Sequence, residues 1–91
     1  MEIKPIEKIV LDILQERDLP LTIGVITHRV RKRMGRSAEL RKHVRTAVAR
    51  LFTAQKIDRV YMGHYRSKLT GVALTPRWGY RMPRETWYYG D

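Results

Sequence analysis

Three amphipathic segments separated by two sharp breaks constrain this chain more than any other feature. In the first, Ile6, Ile9, Val10, Ile13 and Leu14 recur at intervals of three and four, and Pro5 stands where a first helical turn tolerates it. The pattern ends at Asp18-Leu19-Pro20-Leu21, because Pro20 biases Leu19 toward an extended backbone, and Leu21 fits a very short strand. A second helix follows from Ile23, with Ile26, Val30 and Met34 on one side, Thr22 placed to cap it and Gly35 to stop it. In the third, RSAELRKHVRTAVARLF, the residues Leu40, Val44, Ala47, Val48, Leu51 and Phe52 share a face. Ser37 is placed as its cap, Glu39 falls in its first turn, and the helix is expected over 38–55. Only Gly35-Arg36-Ser37 joins the second and third helices, so the chain must turn abruptly there.

After Lys56 the pattern changes. Ile57 to Met62 alternates and is partly β-branched or aromatic, and Val72 to Thr75 forms a second short β-prone run. Between them HYRSKLTG, residues 64–71, reads as a hairpin tip carrying Arg66 and Lys68. Pro76 and Pro83 argue against one continuous strand to the end, with residues 78–82 as a further extended piece. Trp78 and Tyr80 are expected to complete the core under the hairpin, and Tyr61 and Tyr65 to pack across strands. At 91 residues the chain is one domain, residues 1–84, followed by an aromatic tail, residues 85–91, in which Trp87, Tyr88 and Tyr89 show no period.

Charge is distributed unevenly. Residues 1–20 hold three Lys or Arg against five acids, residues 21–56 hold ten against Glu39 alone, and residues 57–91 hold six against three. A surface built only for solubility mixes its signs as the first segment does; a middle block of +9 repels itself and calls for a polyanionic partner, nucleic acid first.

The order helix, short strand, helix, tight turn, helix, hairpin resembles the winged helix-turn-helix family from about Pro5 to Met82, an α+β fold. The matching residues are Leu21-Thr22 opening the second helix, Gly35-Arg36-Ser37 as the turn, Leu40, Val44 and Leu51 on the third helix, and Lys56-Ile57-Asp58-Arg59 leading into the wing. In that family the second helix of the motif enters the major groove of double-stranded DNA. Carried onto this chain, the resemblance points to Lys42, Arg45, Thr46 and Ala49 at base edges, with Arg45 foremost and Ser37 and Glu39 nearby. The chemistry agrees: Arg and Lys donate to guanine acceptors, Thr serves either role, and Ala permits close approach or touches a thymine methyl. Arg29, Arg31, Lys32, Arg36, Ser37, Arg41 and Arg50 fall to the phosphates, while Arg33 is expected to snorkel beside the core. Arg66 and Lys68 resemble wing-tip residues on the minor groove or flanking backbone.

The resemblance implies a small transcriptional regulator, a bare DNA-binding domain that suits a virus or mobile element and could pair as a homodimer on a palindrome. Two alternatives stand beside it. One is an adaptor docking on an acidic protein of transcription or replication machinery through Trp87, Tyr88 and Tyr89. The other is a binder of RNA or single strands that stacks bases on its aromatics. An enzyme is not expected: outside the first helix and the tail only Glu39 and Asp58 supply carboxylates, and His28, His43 and His64 lack metal-ligand spacing. No cofactor, metal or small-molecule ligand is indicated. No apolar run reaches the ~20 residues of a membrane span, the start lacks a signal peptide's apolar block, and there is no cysteine, so a cytoplasmic location, nucleoid or host cell, is expected.

Overall fold

The computed structural model describes residues 3–83. Three helices, α1 (Ile3–Gln15), α2 (Ile23–Met34) and α3 (Leu40–Thr53), are followed by an antiparallel hairpin of β1 (Asp58–Arg66) and β2 (Ala73–Arg81). This is the α+β layout of a winged helix. The tail residues Trp87, Tyr88 and Tyr89 lie outside the described residues.

The core is what the periodicity specifies. Ile6, Val10, Ile13 and Leu14 of α1 meet Ile26 and Val30 of α2 and Leu40, Val44, Ala47, Val48 and Leu51 of α3, closed below by Leu21 and Ile57. Thr22 caps α2, its hydroxyl accepting from the Val25 N–H at 3.5 Å, and Gly35 ends it at φ +84° while donating to Arg31 O. Thr27 is buried on α2 with its hydroxyl satisfied, donating to Ile23 O at 2.7 Å.

Several expectations are corrected at the element ends. Helix α3 starts at Leu40, not at 38, and its N-cap is Glu39 in a left-handed conformation (φ 58°) rather than Ser37; residues 38–39 are used up as a turn that completes the reversal begun at Gly35. The helix stops at Thr53 instead of running to 55. Gln55 takes φ +61°, its N–H donating to Phe52 O and that of Lys56 to Leu51 O, the two bonds of a Schellman motif. Glycine is the natural residue there, since a left-handed backbone costs other residues about 1 to 2 kcal/mol. Gln55→Gly is therefore expected to raise Tm by about 4 °C after the unfolded-state entropy of glycine is subtracted, measured by thermal denaturation.

Phe52 and Met34, expected in the core, are both at the surface. Phe52 is 36% exposed because it lies on the flank of α3 toward the hairpin, where the Arg59 guanidinium stands 4.7 Å from its ring centre. Met34 is the last residue of α2 and is 37% exposed. Nor does Arg33 snorkel: it pairs with Glu16 at the end of α1.

Pro76 does not interrupt the second strand, and β2 runs unbroken through it. Tyr80 exchanges backbone hydrogen bonds with Leu21 at 2.8 and 2.9 Å, so its N–H and C=O point away from β1. By the alternation of a strand, Trp78 and Pro76 point the same way, and the N–H that proline lacks would have faced an open edge. The tip is shorter than expected, residues 67–72, since His64 and Arg66 are paired with Pro76 and Ala73. The ladder shifts register twice. β1 takes an extra residue between Tyr61 and His64, where Gly63 has φ +92°, and β2 takes one between Ala73 and Pro76.

Gly79 seats the hairpin on the helices. A Cβ there would lie 2.7 Å from Pro20 Cβ and would also strike Met62 Sδ. Met62 can swing aside, whereas Pro20 is a rigid ring flanked by the Leu21–Tyr80 bridge. Gly79→Ala is expected to cost about 2 kcal/mol and lower Tm by about 10 °C, readable by the same melting experiment.

Candidate nucleic-acid interface

Successive residues on a helix are about 100° apart, and with the core side of α3 anchored by Leu40, Val44 and Leu51 the rest sort into three strips. Lys42, Thr46, Ala49 and Thr53 point outward. Arg41, Arg45 and Phe52 lie on the flank toward the hairpin, and His43 and Arg50 on the flank toward α1. The outer strip is low: Thr46, Ala49, Thr53 and Ala54 form a shallow trough with Arg45 on one rim and Arg50 on the other. Large side chains would keep a partner at a distance; here, beyond Lys42, the backbone of α3 can be approached closely between Arg45 and Arg50.

The cations differ in availability. Arg50 Nε lies 3.4 Å from Glu7 Oε1, and Arg33 is held by Glu16, so two members of the basic block are partnered by acids on α1 or just past its end. Among the described residues neither Lys42, Arg45 nor Arg41 has an acidic partner, although all three are exposed. Glu7 on α1 and Glu16 just past its end thus engage the cations at that border, and on α3 itself the one acid is Glu39 at its N-terminus. On α2 the same angular reasoning puts Arg31 on the side where Arg41 Nη1 approaches Gly24, Lys32 straight outward, and the half-buried Arg29 on the opposite flank. Arg36 and Ser37 lie in the reversal between α2 and α3, Arg36 exposed and Ser37 half-buried with its hydroxyl donating to Ala38 O at 3.4 Å. The residues nominated for phosphate are therefore not one surface: Arg41 is on the hairpin flank of α3, near α2 at Gly24, Arg50 rims the trough but is engaged by Glu7, and Arg29 is on the flank of α2 away from Arg31.

Thr46 has a more specific capacity than its residue type suggests. Its hydroxyl donates to Lys42 O at 3.1 Å, which leaves its lone pairs turned outward as acceptors.

A cleft of about 160 Å³ between α3 and the hairpin is absent from the sequence reading. Arg41 and Arg45 form one wall; Tyr65, Pro76, Trp78 and Tyr80 form the other. Trp78 is only half-buried, with Arg59 stacked 4.0 Å from its ring centre and Tyr61 meeting it edge-on at 5.6 Å, as expected of cross-strand partners. Tyr80 does pack on the core, while Tyr65 is half exposed and faces Arg77. The one signal in the sequence was the i, i+4 spacing of Arg41 and Arg45, which puts both on the same flank.

No family model, curated protein or solved structure matches this chain. His28, His43 and His64 are dispersed over α2, α3 and β1, and no group of three potential metal ligands forms among the described residues. No helix is long and apolar enough to cross a membrane.

Proposed function

We propose that this protein is a sequence-specific binder of double-stranded DNA of the winged helix-turn-helix type, acting as a small transcriptional regulator. The observation that carries this reading is the outer strip of α3, a low trough of Thr46, Ala49 and Thr53 beside Lys42 and Arg45, which no acid among the described residues engages. A helix of 10–12 Å diameter fits a B-form major groove about 12 Å wide. In that pose Arg45 and Lys42 reach guanine acceptors or phosphates, Ala49 lies against a thymine methyl, and Thr46 accepts from the amino group of adenine or cytosine. Arg31, Arg36 and Arg41 then neutralise phosphates beside the groove, Lys32 lies next to them, and the hairpin brings Arg66 and Lys68 to the flanking minor groove.

Fluorescence anisotropy against random pools of duplex DNA, duplex RNA and single strands tests the reading. Duplex DNA is expected to bind best, with log K falling against log salt at a slope of about −5 for five or six neutralised phosphates. A slope near zero, or no preference for duplex DNA, would sink the proposal. The basic and aromatic cleft between α3 and the hairpin favours the second reading, a binder of single strands, because Trp78 and Tyr65 offer rings for stacking beside Arg41 and Arg45. Preference for the single-stranded pool would establish that reading instead.

A further inference from the structure

The tip of the hairpin exposes aliphatic side chains where a solubilising turn would carry polar ones. Leu69 is 97% exposed at the apex, followed by Val72 and Leu74 at 60% and 61%. The apex is not slack. Ser67 N–H donates to Val72 O at 3.0 Å and Gly71 N–H to Ser67 O at 2.9 Å, and the Ser67 hydroxyl accepts from the N–H groups of Leu69 and Thr70 at 3.2 and 3.3 Å. Thr70 Oγ1 accepts from Val72 N–H, and Arg66 Nη1 donates across the turn to Gly71 O at 3.2 Å. Gly71, at φ +71°, allows the chain to close this way. The turn thus holds Leu69 outward in one conformation at little further entropic cost on binding.

The surroundings specify the occupant. From Arg59 to Arg84 the sequence contains six cations and no carboxylate, and Arg66 and Lys68 flank the apex directly. An apolar point flanked by cations suits a target with anionic walls and apolar surface that a wedge can open, and the minor groove of duplex DNA has that character: its walls are phosphate, and the apolar faces of its base pairs become accessible where a step unstacks. We propose that Leu69 is a wedge: with α3 in the major groove, it enters the adjacent minor groove, inserts partway between two base pairs and kinks the duplex. Pyrimidine–purine steps unstack most readily, so a preference for such a step arises at a position no polar group reads. This rests on the duplex-binding reading above.

The test uses the full chain and a duplex of about 30 base pairs selected from the random pool, with donor and acceptor dyes at its ends and 2-aminopurine placed in turn at each flanking step. Binding is expected to raise energy transfer and to brighten 2-aminopurine at one step beside the α3 site. Leu69→Ala is expected to abolish both signals and weaken binding about tenfold with the salt slope unaltered, and Leu69→Met to restore them. Leu69 bonds to the turn only through its backbone N–H and its side chain is exposed, so its variants should keep the wild-type melting curve. Duplex binding with no change in energy transfer or 2-aminopurine, or signals identical in Leu69→Ala, would overturn the wedge and leave the duplex reading standing. A Leu69→Ala effect on sedimentation of the free protein rather than on DNA would make the tip a contact between copies and equally overturn it. Failure of the wild type to bind any duplex would remove both.

Discussion

Replacing Lys42 and Arg45 together by alanine is expected to weaken duplex DNA binding about 100-fold, roughly 3 kcal/mol at 1.5 kcal/mol or so for each charge-assisted contact. Both side chains are exposed and, among the described residues, tied to no acid, so the melting temperature should hardly move. The sharper comparison is with Arg33→Ala/Arg50→Ala, which removes the same two charges from residues that Glu16 and Glu7 already engage. If binding simply follows net charge, the two double variants weaken it alike. If the outer strip of α3 is the working surface, the second loses only a fewfold. The single variants divide the roles further: loss of a base contact relaxes preference at one position, whereas loss of a phosphate contact weakens all sequences and lowers the salt slope by about 1. Affinity within twofold of wild type for the Lys42/Arg45 variant would remove α3 from the interface.

Ile13→Ala is expected to have the largest effect on stability. Ile13 is fully buried on α1, inside the cluster against which α3 packs. Losing a buried isoleucine costs about 2 to 5 kcal/mol, against a total of about 5 to 13 kcal/mol for a domain this size. Urea denaturation should show the midpoint falling with an unchanged m-value. DNA binding should fall with the folded fraction and recover at low temperature, because α1 supports the presentation of α3 without lying in the interface itself. Binding lost in parallel with a fully retained fold would contradict that division.

The core was legible in the sequence because burial on a helix follows a fixed period. Ile6, Val10, Ile13, Leu14, Val44 and Leu51 occupy the face that their spacing assigns them, and the caps at Thr22 and Gly35 follow from local backbone chemistry. Errors gathered where a residue's role depends on a distant segment. Phe52 carries the right period but lies at the edge of the apolar arc, and the approach of Arg59 from β1 rather than a core neighbour decides its exposure. Pro76 reads as a strand breaker until the pairing of Tyr80 with Leu21 turns that side of β2 toward an open edge.

The candidate interface divides in the same way. That α3 has a cationic outer face containing Lys42, Arg45, Thr46 and Ala49 is a matter of 100° steps along one helix, and the sequence alone determined it. Only the tertiary structure decided which cations stay available, since Glu7 and Glu16 engage Arg50 and Arg33 across helix contacts separated by 43 and 17 positions. It also decided that the hairpin folds beside α3 to make a cleft with Arg41 and Arg45, and that the turn at Ser67 to Val72 holds Leu69 outward. A period along the chain encodes which face of an element is apolar; charge pairing and the placement of one element against another depend on distances through space, which no spacing in a linear sequence records.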